Sequence, residues 1–503
     1  MTWGWLRADG AAFGIASLRP ALIAAASVVA LAQTAQAAPP SPPALNWTGF
    51  YAGGNLGYGF GDTRAVIAND SPDSARLAPA GIIGGGQLGY RFQQRWLVIG
   101  AEADLQWSGQ DSLLCGYATS RGCSGPITNY RSTSLDWFGT VRGTLGFAQG
   151  NSLLYATGGF AYGRIQNQAS GIDLGGSQFA SGDAATTRTG WTIGAGVETR
   201  LPASNWSVKL EYLYLDFGHS SYAPQCAGAP PGAIFDCSFI FRPAPNIETS
   251  DRDHVVRIGL NYNFGGAQPA AMPAPLRAAP MPAVDWSGFY IGGNVGYGVG
   301  HDRLELTRLK PNPAAPTSVT SLPQSPNGIT GGGQAGYRFQ RGWFVIGAEA
   351  DFQWSGQRDA SCLSCVFFVQ YDEKREWFGT VRGVAGVAQG ISLWYLTGGY
   401  AYGRFAIDKT TPASDPINAS ITAQKGGWTA GAGVETRLGA SNWSARLEYL
   451  YMDLGDVTFF GTCTAAVGIS FNLRTGQCER LNNSMSDHIV RIGLNYTFGQ
   501  PPR

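Results

Sequence analysis

The sequence predicts an all-β protein that consists of two tandem eight-stranded antiparallel transmembrane β-barrels. The 503 residues include 71 Gly, 15 Trp, 21 Tyr and 25 Phe, and only 14% of them are charged. Many glycines and aromatics disfavour a helical protein, and low charge disfavours a disordered one. Two further observations support the prediction. A long unit occurs twice, and apolar and polar residues alternate with a period of two within each unit.

The charge balance limits the classes of partner. The chain has 35 Lys and Arg against 34 Asp and Glu, so its formal net charge is +1. Nucleic-acid-binding proteins normally carry a basic excess, and we therefore predict no nucleic-acid partner.

The N-terminus has the pattern of a secretory signal peptide. Residues 1–37 contain Arg7 and Arg19, an apolar run at 21–32, and an Ala-x-Ala cleavage motif that ends at Ala37. The apolar run is shorter than the ~20 residues that a membrane-spanning helix needs. We predict cleavage after Ala37 and export from the cytoplasm.

The rest of the chain is one unit present in two copies. The recurring segments are Trp47–Tyr51 and Trp286–Tyr290, Trp137–Gly143 and Trp377–Gly383, Leu210–Tyr214 and Leu447–Tyr451, and His254–Tyr262 and His488–Tyr496. The predicted domains are a signal peptide at 1–37, a Pro-rich tail at 38–46, a first barrel at 47–265, an Ala/Pro-rich linker at 266–284, a second barrel at 285–499 and a C-terminal tail at 500–503. Duplication of a whole mature protein explains this organisation most simply.

Each copy is predicted to form eight strands. Those of the first copy are residues 48–61, 82–93, 96–109, 133–149, 152–166, 187–201, 206–219 and 252–264. Alternation is clearest in 191–200 and in the last strand, where one face is apolar and the other carries Arg, Glu, Asn and Gly.

The connections between the strands alternate in length. Tight turns are predicted at 94–95, 150–151 and 202–205, and long loops at 63–80, 110–132, 167–186 and 221–250. Short turns at one end and long loops at the other are typical of an outer-membrane barrel, which must close because lipid cannot satisfy an open sheet edge. A soluble sandwich or lipocalin-like barrel also alternates, but its apolar face points inward. The charged second face favours a lumen surrounded by lipid.

The closing strand of each copy, 257–264 and 491–498, has the pattern polar-x-Gly-x-x-aromatic-x-aromatic, and each copy begins with Trp-x-Gly-Phe-Tyr-x-Gly-Gly-Asn. With these motifs the chain resembles the small porin-family surface proteins of α-proteobacteria, eight-stranded relatives of the OmpA transmembrane barrel. The resemblance implies an outer-membrane location, contact with outer-membrane lipid and lipopolysaccharide, and assembly by the barrel-assembly machinery. It leaves the identity of any surface ligand unknown, and the family usually has one barrel per chain. The residues of the implied assembly signal are Gly259, Tyr262, Phe264, Gly493, Tyr496 and Phe498.

Alternation assigns a set of charged residues to the two lumens. They are Arg91, Glu102, Asp104, Arg142, Glu198, Arg200, Lys209, Glu211 and Arg257, and in the second copy Arg338, Glu349, Asp351, Arg382, Glu435, Arg437, Arg446, Glu448 and Arg491. On the lipid face each charge would cost roughly 2–4 kcal/mol near the midplane. In the lumen they line a pore or pair into a plug. Balanced signs favour the plug, because eight strands enclose little more than side chains.

The eight cysteines fall in pairs within long loops, and in an oxidising compartment we predict four local disulfides. The pairs are Cys115 and Cys123, Cys226 and Cys237, Cys362 and Cys365, and Cys463 and Cys478. The C-x-x-C spacing of one pair also fits a redox or zinc site, but no thioredoxin-like pattern surrounds it, so neither a metal nor a cofactor is predicted.

The few histidines do not indicate an enzyme. His254 and His488 begin the closing strands, whereas the adjacent Asp253 and Asp487 point to the opposite face. Modification of lipid A would need a nucleophile or partner beside such a base, and none is apparent.

The main functional hypothesis is therefore structural: two barrels that expose disulfide-pinned loops at the cell surface. The alternative is a porin for small solutes, either through each barrel or through one fused sixteen-stranded barrel. The long linker and the two separate closing strands favour two barrels.

Overall fold

A computed structural model describes residues 45–67, 74–118, 129–172, 178–180, 184–202, 204–222, 225–226, 247–264, 284–308, 319–364, 369–410, 417–463 and 476–499. The predicted signal peptide, the linker, the C-terminal tail and most of the long loops lie outside these residues, as do the side chains of the predicted disulfides. Among the described residues, no helix is long and apolar enough to cross a bilayer.

The described part of the chain forms strands almost throughout. In the first copy these are β1 (Gly49–Ile67), β2 (Ser74–Leu77), β3 (Ala80–Gln94), β4 (Leu97–Ala118), β5 (Asn129–Gln149), β6 (Ser152–Ile172), β7 (Gln178–Ala180), β8 (Ala184–Arg200), β9 (Trp206–Tyr222), β10 (Gln225–Cys226) and β11 (Ile247–Asn263). In the second copy they are β12 (Gly288–Gly300), β13 (Asp302–Arg308), β14 (Val319–Gln324), β15 (Asn327–Arg341), β16 (Phe344–Ser355), β17 (Arg358–Ser364), β18 (Val369–Gln389), β19 (Ser392–Thr410), β20 (Ile417–Arg437), β21 (Trp443–Cys463) and β22 (Gly476–Thr497).

Eight long strands of the first copy close into a barrel. The antiparallel order is β1, β3, β4, β5, β6, β8, β9 and β11, and β11 pairs back onto β1. The second copy repeats this arrangement with β12, β15, β16, β18, β19, β20, β21 and β22, and β22 pairs with β12. Each ring closes on its own first strand. The prediction of two eight-stranded barrels is confirmed, and the fused sixteen-stranded alternative is not formed.

Tight turns join the strands at one end of each barrel, which we call the turn end; the opposite end is the loop end. Several turns need the left-handed backbone conformation, as at Gly150 (φ 58°) and Gly390 (φ 61°). Arg95 (φ 58°) occupies the same conformation in the turn before β4, where the second copy has Gly342. These turns set the register of each hairpin.

The strands extend further toward the loop end than the alternation predicted. Strand β4, for example, runs to Ala118 rather than to residue 109. It does so because the β4–β5 ladder continues past a bulge between Trp107 and Gln110. The short strands lie in the stretches that were predicted as loops, where further ladder hydrogen bonds satisfy the backbone.

The two faces of each barrel differ in residue type, because one face is suited to lipid and the other lines a packed lumen. Outward-facing Leu56 and Leu105 are 60% and 57% exposed, whereas the inward-facing Arg142 is buried. Exposed aromatics cluster near the turn end, among them Trp96 and Phe264. Such a girdle is characteristic of a membrane interface.

The outward face can be tested at Val141, which is 53% exposed in mid-strand. The variant Val141→Arg is expected to lower the free energy of unfolding in lipid vesicles by about 2–4 kcal/mol, because a charge would enter the hydrocarbon. Val141→Ile should leave it nearly unchanged. Equal stability of both variants in a urea titration would show that this face does not meet lipid.

Candidate functional site: the barrel lumens

Arg142 is the centre of the lumen network in the first copy. Its guanidinium contacts the carboxylates of Glu102, Asp104 (2.9 Å) and Glu211 (3.0 Å). Its Nε also donates to the Thr140 hydroxyl at 2.8 Å. Strands β4, β5 and β9 are thereby tied together across the lumen, and all five side chains are buried.

Two further cations complete the network. Arg257 lies 2.9 Å from Asp104 and 2.6 Å from Glu211. Lys209 lies 3.0 Å from Glu102 and 3.7 Å from Glu211. Each carboxylate therefore faces at least two cations. In a medium of low dielectric constant this mutual compensation is what makes burial of the charges tolerable.

A second ion pair lies nearer the turn end. Arg91 binds Glu198 in a bidentate manner, with N–O distances of 2.5 and 3.1 Å, and Ser207 donates to Glu198. The Arg91 guanidinium carbon lies 3.9 Å from the centroid of the Tyr51 ring, and the Tyr51 hydroxyl donates to Glu102 at 2.7 Å. Tyr51 thus connects the two ion-pair groups.

The second copy repeats this arrangement residue for residue, with arginine in place of the first copy's lysine. Arg382 contacts Glu349, Asp351 (3.0 Å) and Glu448 (3.2 Å), and Arg446 contacts Glu349 at 2.7 Å. The remaining pairs are Arg491 with Asp351 (3.0 Å), Arg491 with Glu448 (2.6 Å) and Arg338 with Glu435 (2.6 Å).

Two of the inferred lumen charges lie at the turn end, against the buried tryptophans. Arg200 has no carboxylate within ion-pair distance among the described side chains, and its guanidinium lies 5.0 Å from the Trp47 ring. Arg437 lies 5.1 Å from the Trp286 ring and donates to the Asp285 carbonyl. Trp47 and Trp286, which precede the first strand of each copy, are buried at the turn end of their lumens. We call this layer the floor.

Apolar side chains fill the lumen of the first copy on the loop side of the charges. Leu135, Phe138, Leu213 and Phe217 belong to one buried cluster there, which we call the roof. The roof and the tryptophan floor enclose the charged layer. A cavity of about 20 Å³ beside the roof has room for roughly one water molecule.

The second copy carries a polar cluster at its loop end that alternation did not reveal. Arg375 lies 2.6 Å from Asp302, 3.1 Å from Glu373 and 3.4 Å from Asp487. A register shift between Arg375 and Trp377 reverses which side chains face inward. Because of this bulge, simple alternation along β18 places Arg375 on the wrong face.

In the first copy the corresponding region contains a different missed pair. Arg188 contacts Asp251 and donates to Thr249 at 2.9 Å, and Thr63 donates to Asp251 at 2.7 Å. Arg188 shares the inward parity of Glu198 on β8 and lies within the predicted strand 187–201, so alternation could have assigned it to the lumen.

The described residues form no metal site. Among them no group of three His, Cys, Asp or Glu side chains is arranged to hold a metal ion. His254 Nδ1 lies 2.8 Å from the Tyr212 hydroxyl, and His488 is placed in the same way against Tyr449. Both imidazoles point out of their barrels, away from the lumen charges.

The closing strands end in outward-facing aromatics. Tyr262 and Phe264 are in edge-to-face contact at 5.1 Å, and the Phe264 backbone donates to the Phe50 carbonyl, which joins the strand to β1. Gly259 faces a lumen in which a Cβ atom would come within 3.1 Å of the Gln87 side chain. The same arrangement ends the second copy at Tyr496 and Phe498, which are 5.2 Å apart.

Two closed antiparallel barrels with apolar outer faces and charged, packed lumens define an integral outer-membrane protein. The chain belongs to the family described as outer membrane protein beta-barrel domain, which matches it twice, at residues 22–264 and 270–498. The family and its named relatives confirm the outer-membrane location, and the two matches of the family support the tandem duplication.

Several relatives come from α-proteobacteria. The 31 kDa outer-membrane immunogenic protein of Brucella melitensis is 35% identical over 232 residues, which are 45% of this chain and 89% of that protein. The 22 kDa outer membrane protein of Rhizobium leguminosarum is 33% identical and covers 36% of this chain and 70% of its own length. Among solved structures, the Pseudomonas putida toluene transporter TodX aligns with 90% of this chain and 91% of its own at 11% identity. Its TM-score is 0.29, too low to bear on function.

The importance of pairing in the lumen can be tested by removing one partner. Arg142→Met is expected to lower the free energy of unfolding by about 3–5 kcal/mol, because it leaves buried carboxylates without their cation. Arg164→Met breaks an ion pair whose side chains are 48% and 32% exposed, and it should cost about 1 kcal/mol or less. Denaturant unfolding in vesicles measures both, and similar losses would contradict the role assigned to Arg142.

Proposed function

We propose that the protein is a structural and surface component of the outer membrane and that its two lumens are closed to solutes. The observation that supports this most directly is the layered filling of the lumen. The tryptophan floor, the ion-paired charges around Arg142 and the apolar roof follow one another along the barrel axis. An open porin would need a continuous aqueous path through all three layers.

Opening such a path would carry a large energetic cost. Arg142 alone contacts three carboxylates, and each of those also contacts another cation. Moving one side chain aside leaves several buried charges uncompensated. The eight-stranded ring is also near the size at which side chains fill the interior. Passive diffusion of small solutes through either barrel is therefore the less favoured function.

A surface role agrees with the loop end and with the relatives. The connections at the loop end are long, which in outer-membrane barrels is the extracellular side. The Brucella relatives are named as immunogenic outer-membrane proteins, which supports display of the corresponding loops at the cell surface. The four loop disulfides remain a prediction for this surface. No catalytic role is proposed, because the relatives are named as outer-membrane proteins rather than enzymes.

Closed lumens predict electrical silence. The refolded protein should give no stable single-channel steps in a planar bilayer in which a general porin, as a positive control, gives large ones. Replacement of both central arginines, Arg142→Ala with Arg382→Ala, should introduce brief openings because each network loses its centre.

The matched control for this experiment replaces surface arginines at equivalent positions. Arg164 and Arg404 form exposed ion pairs with Asp136 and Glu376. The variant Arg164→Ala with Arg404→Ala should stay silent. Stable conductance steps in the unmodified protein would overturn the closed-lumen proposal and support the porin.

Display of the loops at the cell surface predicts which inserted epitope tags antibodies can bind on intact cells. An epitope tag between Gly232 and Ala233 lies in the predicted long loop 221–250, and a tag after Ala203 lies in the tight turn 202–205. Antibody should label intact cells that carry the first insertion, and label the second only after the outer membrane is permeabilised. The reverse pattern would invert the proposed orientation.

A further inference from the structure

One outward face of each barrel is covered by protein. On β1, Leu56 and Phe60 both point outward, yet Leu56 is 60% exposed and Phe60 is 1% exposed. On β12 of the second copy, outward-facing Val299 is completely buried. Both belong to one apolar cluster that contains residues of the two copies. The chain from Pro43 onward is a single compact unit, and the two barrels meet along these faces.

A chain of four hydroxyl groups crosses this contact near the turn end. The Ser152 hydroxyl lies 3.1 Å from that of Thr199 in the first barrel and 2.8 Å from that of Ser392 in the second. The Ser392 hydroxyl in turn lies 2.8 Å from that of Thr436. All four are outward-facing and fully buried. In lipid these polar groups would have no partner outside their own barrel, whereas here they satisfy one another.

Nearer the loop end, aromatic and imidazole rings make two further contacts between the barrels. Tyr58 stacks on His488 at 5.2 Å, and Tyr297 stacks on His254 at 5.1 Å. Tyr58 and Tyr297 are equivalent in the two copies, as are the two histidines. Exchanging the copies therefore maps one contact onto the other, which is the signature of an isologous interface.

The centre of the interface has the same symmetry. A cavity of about 10 Å³, with room for one water molecule at most, is lined by four residues from each copy. They are Leu210, Glu211, Tyr212 and Val256, and their equivalents Leu447, Glu448, Tyr449 and Val490. Ser152 and Ser392 are likewise equivalent and touch each other directly. A pseudo-two-fold axis between the barrels accounts for all of these contacts.

Additional contacts join the barrels at the loop end. The Arg76 Nε lies 3.0 Å from Asp359, and the Asn327 amide donates to Asp62 at 3.2 Å. Strand β14 of the second copy pairs with β4 of the first. Among the described residues, these contacts have no counterpart when the two copies are exchanged. The pair of barrels is therefore asymmetric at the loop end.

We infer that the two barrels of one chain form a permanent lateral pair through this isologous face, so that the protein is a built-in dimer in the membrane. The specific partner of each barrel is the other barrel of the same chain. The linker favours this partner over a second molecule, because it raises the effective concentration of one barrel at the other. The pairing holds whether or not the lumens conduct.

Engineered cysteines test the pairing. The full chain carries Ser152→Cys with Ser392→Cys and a protease recognition sequence inserted within residues 266–283, and it is refolded in lipid vesicles. After mild oxidation and cleavage, most of the protein should run at full-length mass on a non-reducing denaturing gel. Reductant should release the two halves. Heat-dependent gel mobility confirms that the variant is folded.

The matched control places cysteines at equivalent outward positions near the turn end but away from the interface. Ile99 and Ile346 are 49% and 46% exposed, and Ile99→Cys with Ile346→Cys should release both halves without reductant. The parent with only its native cysteines and the inserted protease site should do the same. If the variant Ser152→Cys with Ser392→Cys fails to fold, a second pair at the interface centre replaces it. This pair is Leu210→Cys with Leu447→Cys.

Three outcomes would overturn the inference. The first is release of the two halves without reductant from a folded variant that carries the interface cysteines. The second is equal cross-linking in the Ile99 and Ile346 control. The third is a product of twice the chain mass before cleavage, which would show that the face binds a second molecule instead of the other barrel.

Discussion

The bilayer offers no hydrogen bonds, and the closed barrels with their packed lumens follow from that constraint. It requires each sheet to close on itself, as β11 does on β1 and β22 on β12. Closure with alternating side chains places one set toward lipid and the other in a narrow lumen. Charges in that lumen have no solvent, so they must pair. The networks around Arg142 and Arg382 are the result.

Features that depend on period-two alternation could be predicted from the sequence. The eight strands of each copy and the central pairing residues, such as Arg142 and Glu211, follow from it because lipid and lumen select opposite residue types. Arg375 was missed because a bulge shifts the parity of β18. The floor formed by Trp47 was missed because this residue precedes the first strand and has no alternation to place it.

The contact between the barrels could not be predicted in this way. Alternation shows that Ser152 and His254 point outward, but it does not show whether lipid or protein lies beyond them. That depends on packing between residues far apart in the chain. In retrospect, hydroxyl and imidazole groups on an otherwise apolar outer face are the signal, since lipid leaves them without partners. Duplication then gives each face a partner of complementary shape.

The lumen charges stabilise each barrel only as pairs. A double-mutant cycle on Arg91 and Glu198 tests this directly, because the bidentate pair is joined to the central network through the neutral Tyr51 rather than by an ion pair. Unfolding free energies are measured in vesicles for Arg91→Met, Glu198→Met and the double variant. Stabilisation by pairing predicts a large loss for each single variant, a smaller loss for the double variant than their sum, and a coupling energy of at least about 1 kcal/mol. Losses that add to within about 0.5 kcal/mol would contradict it.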